Sequence, residues 1–458
     1  MRPFSRTNLV LDHNEDQMRI LYIVGTYPLV TTTFIEREVA TLRALGSNIE
    51  LLSIRRPPRQ VTAAAEYRAL QNEVRYLLPP NLIRLLLAHL YFAFKHPRAY
   101  WSLLFWLLTR SQPHLRERMK TLLHFGEGVY AAFLVRGVAF DHIHAHFIDR
   151  AALVALCVAR MLEKSYSVTA HANDIYRAPV LVSEKILSAR FAVTVSEFNK
   201  QHLLTHFAGL DAERIFVLHP WVDMDEFRPP AVHAGNPRFR ILSVGRLVEK
   251  KGQRYLIEAC AQLREQRLDF ECIIIGDGPL QQEFEALVNA SELSQHVCLL
   301  GAQPKTIVLE ELRRADVFVL PVVVARDGDR DGMPVALAEA MAMQVPVIST
   351  DIVGIRELLQ PGTGYLIPPN DATAVADAIH SMIGMEQSAR LAMGKRGRAV
   401  IAKDFELKKG VSQLAELFAS SDADLHSHTA PGLMYRPHRR HIKSGPAHWL
   451  QRKVRGIF

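Results

Sequence analysis

The stretch MRILYIVGTYPLVTTTFIEREVATLRALGSNIELLSIR, residues 18–55, has the pattern of a strand, a helix and a second strand. Its first part is an apolar run that ends in a glycine and a turn. Its middle part places apolar residues at helical spacing and closes on Gly46, as an amphipathic helix does. A strand–helix–strand order predicts parallel strands whose faces are covered by helices. The stretch therefore predicts an α/β fold.

The same rhythm continues through the chain in two series. The first series goes on with the apolar runs DHIHAHF, SYSVTAHAND, FAVTVS and RIFVLHP. A segment rich in proline and polar residues, DMDEFRPPAVHAGNP, then interrupts the pattern. The second series begins with FRILSVGRL and includes FECIIIGDG, VCLLG, VFVLP, VPVIST and GYLIP. We therefore expect two successive α/β domains joined by a linker at 223–238.

The net charge of +8 is concentrated near the C-terminus. Residues 421–458 contain seven Lys/Arg and two Asp, which places +5 of that charge in the tail. The tail has little periodicity, so it is predicted to be disordered. A basic excess located there, without aromatic and basic residues interleaved on a predicted sheet, argues against a nucleic-acid partner.

The cysteines lie singly in apolar segments without CxxC spacing. This pattern predicts buried thiols in a reducing compartment, with neither a disulfide nor a metal role. The N-terminus has no uninterrupted apolar core, so it does not have the pattern of a signal peptide. The expected localisation is cytoplasmic. The four cysteines are Cys157, Cys260, Cys272 and Cys298.

One strongly apolar segment, residues 81–110, falls outside the α/β rhythm and is broken by the charged stretch KHPR at 95–98. Neither half reaches the roughly 20 residues that a transmembrane helix requires. Trp101, Trp106 and the basic flanks are typical of a pair of interfacial helices on the cytoplasmic membrane face. A helical pair packed against its own domain is the alternative, and the sequence leaves both open.

The stretch RDGDRDGMPVALAEAMAM, residues 326–343, follows a predicted strand and leads into a helix. In open α/β sheets, ligands bind beyond the carboxyl ends of the strands. Gly332 lets the backbone come close to a ligand, and the following helix start offers free N–H groups suited to phosphate. Asp331 and Glu339 lie eight residues apart, so they can meet different parts of one ligand.

A second loop, GRLVEKKG, places Arg246 and Lys251 at the end of another predicted strand. Two cations around one turn can hold a diphosphate, the guanidinium as a fork and the ammonium as a point charge. The glycine turn in IIIGDGP departs from the dinucleotide GxGxxG pattern, because Gln281 occupies the third glycine position. This departure, and the lack of a Walker A sequence, disfavour NAD or ATP.

Across roughly residues 18–420 these motifs resemble the GT-B glycosyltransferases of family 4, especially the bacterial exopolysaccharide and colanic-acid type. The resemblance implies two Rossmann-like parallel-sheet domains that face each other across a cleft. It also implies a retaining transfer of sugar from a nucleoside-diphosphate-sugar to a glycan acceptor, lipid-linked in our interpretation, with no metal and no cofactor. The expected segments are an extension at 1–17, a first, acceptor-side domain at 18–222 that includes the apolar helical segment 81–120, a linker at 223–238, a donor domain at 239–395, a helix at 396–420 that crosses back to the first domain, and the tail at 421–458.

The resemblance assigns the donor site residue by residue. Asp331 and Glu339 match the family's Glu-x7-Glu element, with Asp331 one methylene shorter, and Arg246 and Lys251 match its GR-x4-K pair. The implied catalytic residues are Arg246, Lys251, His171, Asp331 and Glu339. The implied donor-binding residues are Gly245, Arg246, Lys251, Gly276, Gly278, Pro279, Asp331, Gly332, Met333, Val335 and Glu339.

The acceptor side is assigned in the same way. TAHANDIY resembles the family's histidine loop, which makes His171 a contact of the transferring sugar, and YPLVTTTFIERE resembles its FPxxSETFI segment with Thr32 in the place of Glu. His142, His144 and His146 alternate on one strand face and could mimic a metal site, but the resemblance favours a sheet-end role without metal. The implied acceptor-side residues are Thr31, Thr32, Thr33, His146 and Asp174.

Two other functions remain open on the sequence. A sugar-nucleotide epimerase can use the same fold. An inactive scaffold on a membrane surface is the other alternative, and it is favoured by Asp331 in place of Glu and by the threonine-rich acceptor segment.

Overall fold

The computed structural model describes residues 18–421 and 425, apart from 30–31, 59–64, 178, 231–234 and 422–424. The expected extension at 1–17, most of the expected disordered tail, and Thr31 of the expected acceptor side therefore lie outside the described residues.

The first sheet has seven parallel strands within the described residues, in the order β3-β2-β1-β4-β5-β6-β7. The residues from Ile20 to Val24 on β1 are at most 1% exposed, as expected for a strand covered on both faces. The order of the strands reverses between β1 and β4, which is where ligands bind in such sheets. The strands are β1 (Arg19–Thr26), β2 (Asn48–Arg55), β3 (Val74–Tyr76), β4 (His142–His146), β5 (Ser165–Ala170), β6 (Ala192–Thr194) and β7 (Ile215–Val217).

Nine helices of the described chain accompany this sheet, and the amphipathic helix expected after β1 is confirmed. It buries Ile35, Val39 and Leu42 against the sheet, and the charged Glu38 is buried on the same side. The helices are α1 (Thr33–Ala44), α2 (Ala65–Asn72), α3 (Leu82–Lys95), α4 (Pro97–Thr109), α5 (Leu115–Val135), α6 (Arg150–Leu162), α7 (Ala172–Tyr176), α8 (Val182–Ser188) and α9 (Glu197–His206).

The second sheet has six parallel strands within the described residues, in the order β10-β9-β8-β11-β12-β13, so its order reverses between β8 and β11. The strands are β8 (Phe239–Val244), β9 (Phe270–Ile275), β10 (Val297–Gly301), β11 (Val317–Leu320), β12 (Val347–Thr350) and β13 (Gly364–Ile367). The helices are α10 (Gln253–Glu265), α11 (Gln281–Ala290), α12 (Lys305–Arg314), α13 (Val335–Ala342), α14 (Ile355–Leu358), α15 (Ala372–Gly384), α16 (Gln387–Asp404) and α17 (Leu407–Ala419).

One cysteine differs from its expected environment. Cys157, Cys260 and Cys272 are buried, but Cys298 is exposed. Cys298 lies on β10, the edge strand of the second sheet, where solvent replaces a neighbouring strand. The prediction of a buried thiol was wrong at that position.

The chain returns from the second sheet to the first at residues 405–407. Val222 N–H donates to Phe405 O (2.8 Å), and Leu407 N–H donates to Val222 O (3.0 Å). Beyond this crossing, Val411 and Leu414 of α17 join the buried core around β1. The expected boundary at 395 falls inside α16, so the crossing itself comes ten residues later.

The segment 81–135 forms three neighbouring helices with one buried and one exposed face. Phe92, Leu103 and Leu107 join the core of the first sheet. The opposite faces carry twelve large apolar residues that remain exposed, and we call this set the apolar helix surface. Its members are Leu82, Ile83, Leu86, Leu87, Leu90, Phe94, Trp101, Phe105, Leu108, Leu115, Met119 and Leu123. Among the described helices, none combines the length and apolar character needed to cross a membrane.

Candidate active site

The loop after β8 brings two of the predicted cations together. Gln253 Nε2 donates to Gly245 O (3.3 Å) and Arg246 O (3.2 Å), which turns the loop back on itself. The Lys251 side chain consequently lies over Gly245, where an added Cβ would come within 3.4 Å of Lys251 Cδ. Arg246 is exposed and has no ion-pair partner among the described residues, so its guanidinium is available to a ligand.

The glycine turn after β9 supports this loop through backbone contacts. Gly245 N–H donates to Ile275 O (2.9 Å), and Leu247 N–H donates to Asp277 O (2.8 Å). Gly276 has φ of 141°, and a Cβ there would lie 2.0 Å from Gly245 O. Only glycine fits this position, because a side chain would force the two loops apart. Gly278 and Pro279 follow in the same turn.

The acidic loop after β11 meets the cations directly. Lys251 Nζ lies 2.7 Å from Asp331 Oδ2, while Lys250 Nζ lies 3.4 Å from Asp331 Oδ1 and 3.1 Å from Asp329 Oδ1. Burial alone would raise the pKa of Asp331, but the two lysines hold it below its usual value. Lys250 was not predicted as a site residue, although its place beside Lys251 in a doubly basic turn was a usable signal.

The start of α13 lies beside the first domain. Pro334 precedes the helix as its N-cap, so the regular helix starts at Val335, and Met333 is buried in the second core. An added Cβ on Gly332 would lie 3.0 Å from Ala172 Cβ. The carboxyl-end loops of the two sheets are therefore in contact at this point.

Glu339 on α13 is paired with a residue of the first domain. Arg37 Nη1 on α1 donates to Glu339 Oε1 (3.2 Å), and Arg37 Nη2 also lies 3.4 Å from Glu226 Oε2. Burial raises the pKa of Glu339, and Arg37 opposes that shift. No local sequence pattern indicates this pair, because 302 residues separate its members.

His171 is part of a polar chain that begins under β1. Tyr22 Oη donates to Glu38 Oε1 (2.6 Å), and His146 Nε2 lies 3.0 Å from the same oxygen. His146 Nδ1 then lies 3.4 Å from His171 Nε2. Burial, with His146 beside it, holds the pKa of His171 well below its usual value, so its imidazole is neutral. His146 is itself only 1% exposed, so it lies beneath His171.

Two other predicted acceptor-side residues make contacts within the first domain. Asp174 Oδ2 accepts from Ile148 N–H (2.6 Å) and His171 N–H (3.1 Å), which ties the loops after β4 and β5 together. Burial raises the pKa of Asp174 to about 8. Thr32 closes the turn before α1, since its hydroxyl accepts from Leu29 N–H (3.1 Å), and Thr33 is the first residue of that helix.

The alternating histidines of β4 form a buried ladder with hydroxyl groups of β5. His142 contacts Ser165 and Ser167 at 2.8 Å, and His144 contacts Ser167 at 2.8 Å and Thr169 at 3.0 Å. Glu38, His144 and His146 each offer one ligand atom within 4.8 Å of the others, which is close enough to hold a metal ion. These groups already have protein hydrogen-bond partners, and the expectation of a metal-free site stays a prediction.

Two parallel α/β sheets whose carboxyl-end loops meet are also the arrangement of the GT-B class of glycosyltransferases. Solved structures of this class have the same fold. A glycosyltransferase from Rickettsia africae has a TM-score of 0.65 at 18% identity and covers 88% of this chain and 98% of its own. HepE of Anabaena, solved in complex with UDP-glucose, has a TM-score of 0.65 at 15% identity and covers 88% of this chain and 100% of its own.

The chain belongs to the family described as Glycosyl transferases group 1, whose model matches residues 224–400. The putative colanic acid biosynthesis glycosyltransferase WcaL of Salmonella typhimurium is 30% identical over 414 residues, which are 87% of this chain and 99% of that protein. The amylovoran biosynthesis glycosyltransferase AmsK of Erwinia amylovora is 33% identical over 287 residues, 61% of this chain and 70% of that protein. The protein is therefore a glycosyltransferase.

Proposed function

We propose that the protein moves a sugar from a nucleoside-diphosphate-sugar to a lipid-linked glycan, with retention of configuration and without a metal, in exopolysaccharide or other cell-surface polysaccharide synthesis. One observation carries the donor assignment: Lys251 contacts Asp331 in the loop before α13, beside the turn that bears Arg246, where the strand order of the second sheet reverses. Cations and helix N–H groups are the donors that a diphosphate requires.

The charge of the leaving group explains the roles of these residues. When the bond between the anomeric carbon and the phosphate oxygen breaks, negative charge develops on the diphosphate. Arg246 and Lys251 neutralise that charge, as a divalent metal does in other enzymes. The acceptor oxygen attacks the same face of the sugar, and its proton passes to the departing phosphate oxygen. Glu339 holds the ribose, Asp331 lies near the sugar hydroxyls, and His171 orients the sugar.

The polysaccharide class comes from the relatives. WcaL is named for colanic acid synthesis and AmsK for amylovoran synthesis. The intermediates of such polymers are long and polar, so a lipid carrier on the cytoplasmic membrane face is the acceptor that we propose for this chain.

The apolar helix surface supports a peripheral position on that membrane. Isolated exposed apolar residues are ordinary, but twelve on three neighbouring helices exceed what a monomer normally leaves in water. Residues 81–136 contain eight Lys/Arg and two Glu. Of these basic residues, Arg84, Lys95, Arg98 and Arg116 are exposed and have no ion-pair partner among the described residues. Exposed apolar side chains with unpaired cations near the ends of the same helices match an anionic lipid surface.

A donor screen with membrane lipids as acceptor tests the function. Purified protein is incubated with a panel of radiolabelled nucleotide-sugars, with and without lipid extract, and label in the lipid fraction is counted. Lipid-dependent transfer from one donor supports the proposal. Conversion of the donor to an isomer without lipid would identify an epimerase. Failure of every nucleotide to bind would identify an inactive scaffold.

A further inference from the structure

The donor site is completed by a residue of the opposite domain. We propose that Arg37 on α1 is a positioning residue for the donor, because its guanidinium orients the Glu339 carboxylate for the ribose hydroxyls. The inference rests on the proposed function, since it assigns the ribose to Glu339.

Arg37 contacts only one of the two carboxylate oxygens of Glu339. Arg37 Nη1 donates to Oε1 of Glu339 at 3.2 Å, which leaves Oε2 without a hydrogen-bond donor among the described residues. An ionised carboxylate only accepts hydrogen bonds, so Oε2 is suited to the hydroxyl groups of a ribose. The side chains of Arg37 and Glu339 are 16% and 17% exposed, which makes their contact a largely desolvated one.

Arg37 is itself held in place by contacts besides the one to Glu339. Its other nitrogen, Nη2, lies 3.4 Å from Glu226 Oε2, and its guanidinium lies 5.5 Å from the centre of the Phe227 ring. Glu226 in turn pairs with Lys305 of α12. A guanidinium fixed by two carboxylates and one ring face loses little freedom when it orients Glu339.

The charge state of Glu339 depends on residues of three different segments. The charged groups that act on Glu339 are Arg37 from α1, Glu226 from the segment after β7 and Lys305 from α12. Burial and Glu226 raise the pKa of Glu339, whereas Arg37 and Lys305 lower it, and Arg37 is the larger of the two. Without Arg37 the carboxyl therefore takes up a proton at a higher pH, and its protonated form is a poorer acceptor for the ribose.

Binding of unlabelled nucleoside diphosphates to the full chain tests this role. Isothermal titration calorimetry between pH 8 and pH 5.5 compares the wild type with Arg37→Ala, Arg37→Lys and Arg43→Ala. Arg43 is the matched control, because it lies on the same helix and pairs with Glu73 (2.7 Å) without reaching the second domain. Phosphate ionisation of the ligand is common to all four proteins and cancels in ratios of their dissociation constants.

We expect the Arg37→Ala dissociation constant to rise relative to wild type by about threefold at pH 8, from loss of the oriented contact. The ratio should be larger at pH 5.5, because Arg37 lowers the pKa of Glu339 and its loss lets the carboxyl take up a proton at a higher pH. The dissociation constant of Arg37→Lys should lie between those of the wild type and Arg37→Ala. The dissociation constant of Arg43→Ala should equal that of the wild type at each pH. An Arg37→Ala curve parallel to the wild type at all pH values, or tighter binding, would overturn the positioning role. Binding by none of the four proteins would instead refute the donor site, and this inference with it.

An unfolding control keeps the result interpretable. The thermal midpoints of Arg37→Ala and Arg43→Ala are compared, since each removes an arginine of α1 that is paired with glutamate: Arg37 with Glu226 and Glu339, Arg43 with Glu73. If Arg37→Ala does not fold, Arg37→Lys carries the test, because it keeps the charge but cannot bridge two carboxylates as a fork. A Lys variant identical to the wild type in both affinity and pH dependence would then reduce the proposal to the charge alone and overturn the orienting role.

Discussion

Two charges placed on the apolar helix surface should release the protein from anionic vesicles. Phe94 is 77% exposed and Phe105 is 69% exposed, so both can be replaced without opening a core. Full burial of a phenylalanine contributes about 1.5–3 kcal/mol, and insertion of these two rings contributes about 3 kcal/mol together. Phe94→Glu/Phe105→Glu should therefore weaken vesicle binding at least roughly a hundredfold.

The assay is sedimentation of sucrose-loaded vesicles with and without anionic lipid, at low and at physiological salt. Leu45→Glu/Leu187→Glu is the matched control, because these apolar residues are also exposed, at 52% and 48%, but lie outside α3–α5. Trp106 is a weaker probe than Trp101, since its ring packs against the first core. Unchanged binding of Phe94→Glu/Phe105→Glu, or an equal loss in the control, would refute docking through this surface.

Two further perturbations test the donor site and the buried ladder. Lys251→Ala should lower turnover about a hundredfold to a thousandfold, as loss of one donor to a developing charge does. Lys250→Ala should lower turnover less than about tenfold, because Asp329 shares the charge of Lys250. Equal losses of turnover in steady-state assays would contradict these separate roles. Burial lowers the pKa of His142 to about 3. The unfolded chain therefore takes up a proton at this residue at a higher pH than the folded chain does, and the free energy of unfolding decreases as the pH is lowered. Between pH 6.5 and pH 5 this proton uptake lowers the free energy of unfolding by about 2 kcal/mol. In urea titrations, His142→Asn should largely remove that contribution. An unchanged dependence of the unfolding free energy on pH would argue against a neutral His142.

The sheets were predictable because their central strands are buried on both faces. Continuous apolar runs such as ILYIV and CIII are typical of buried strands, and a helical pattern separates each run from the next. The cation pair was also predictable, since Arg246 and Lys251 belong to one short turn after a strand. What local patterns specify, the sequence shows directly.

The contacts across the cleft were not predictable in that way. Arg37 lies on the polar side of an amphipathic helix, where a solvated arginine is the ordinary expectation. Its partner Glu339 is 302 residues away, and only the folded arrangement of both domains brings them together. Glu38 was missed for a related reason: a carboxylate inside a helix gave no sign that β4 would place His146 beside it.

If the proposed donor site is correct, these cross-cleft contacts couple donor binding to the arrangement of the domains. Glu357 of α14 accepts from Glu197 N–H (2.8 Å) and Phe198 N–H (3.0 Å) at the start of α9, and Arg330 lies 4.6 Å from the centre of the Tyr176 ring. Such partly exposed polar contacts each contribute little, on the order of 1 kcal/mol or less. The paired backbone at the crossing, in contrast, lies in buried chain. Separation of the domains would therefore break the contacts of Glu357 and Arg330 before the backbone pairing at the crossing. Because the contact from Arg37 to Glu339 also spans the domains, the same movement would remove the cation beside the carboxylate that we propose for the ribose, so on that proposal an open enzyme would hold a nucleotide less tightly than a closed one.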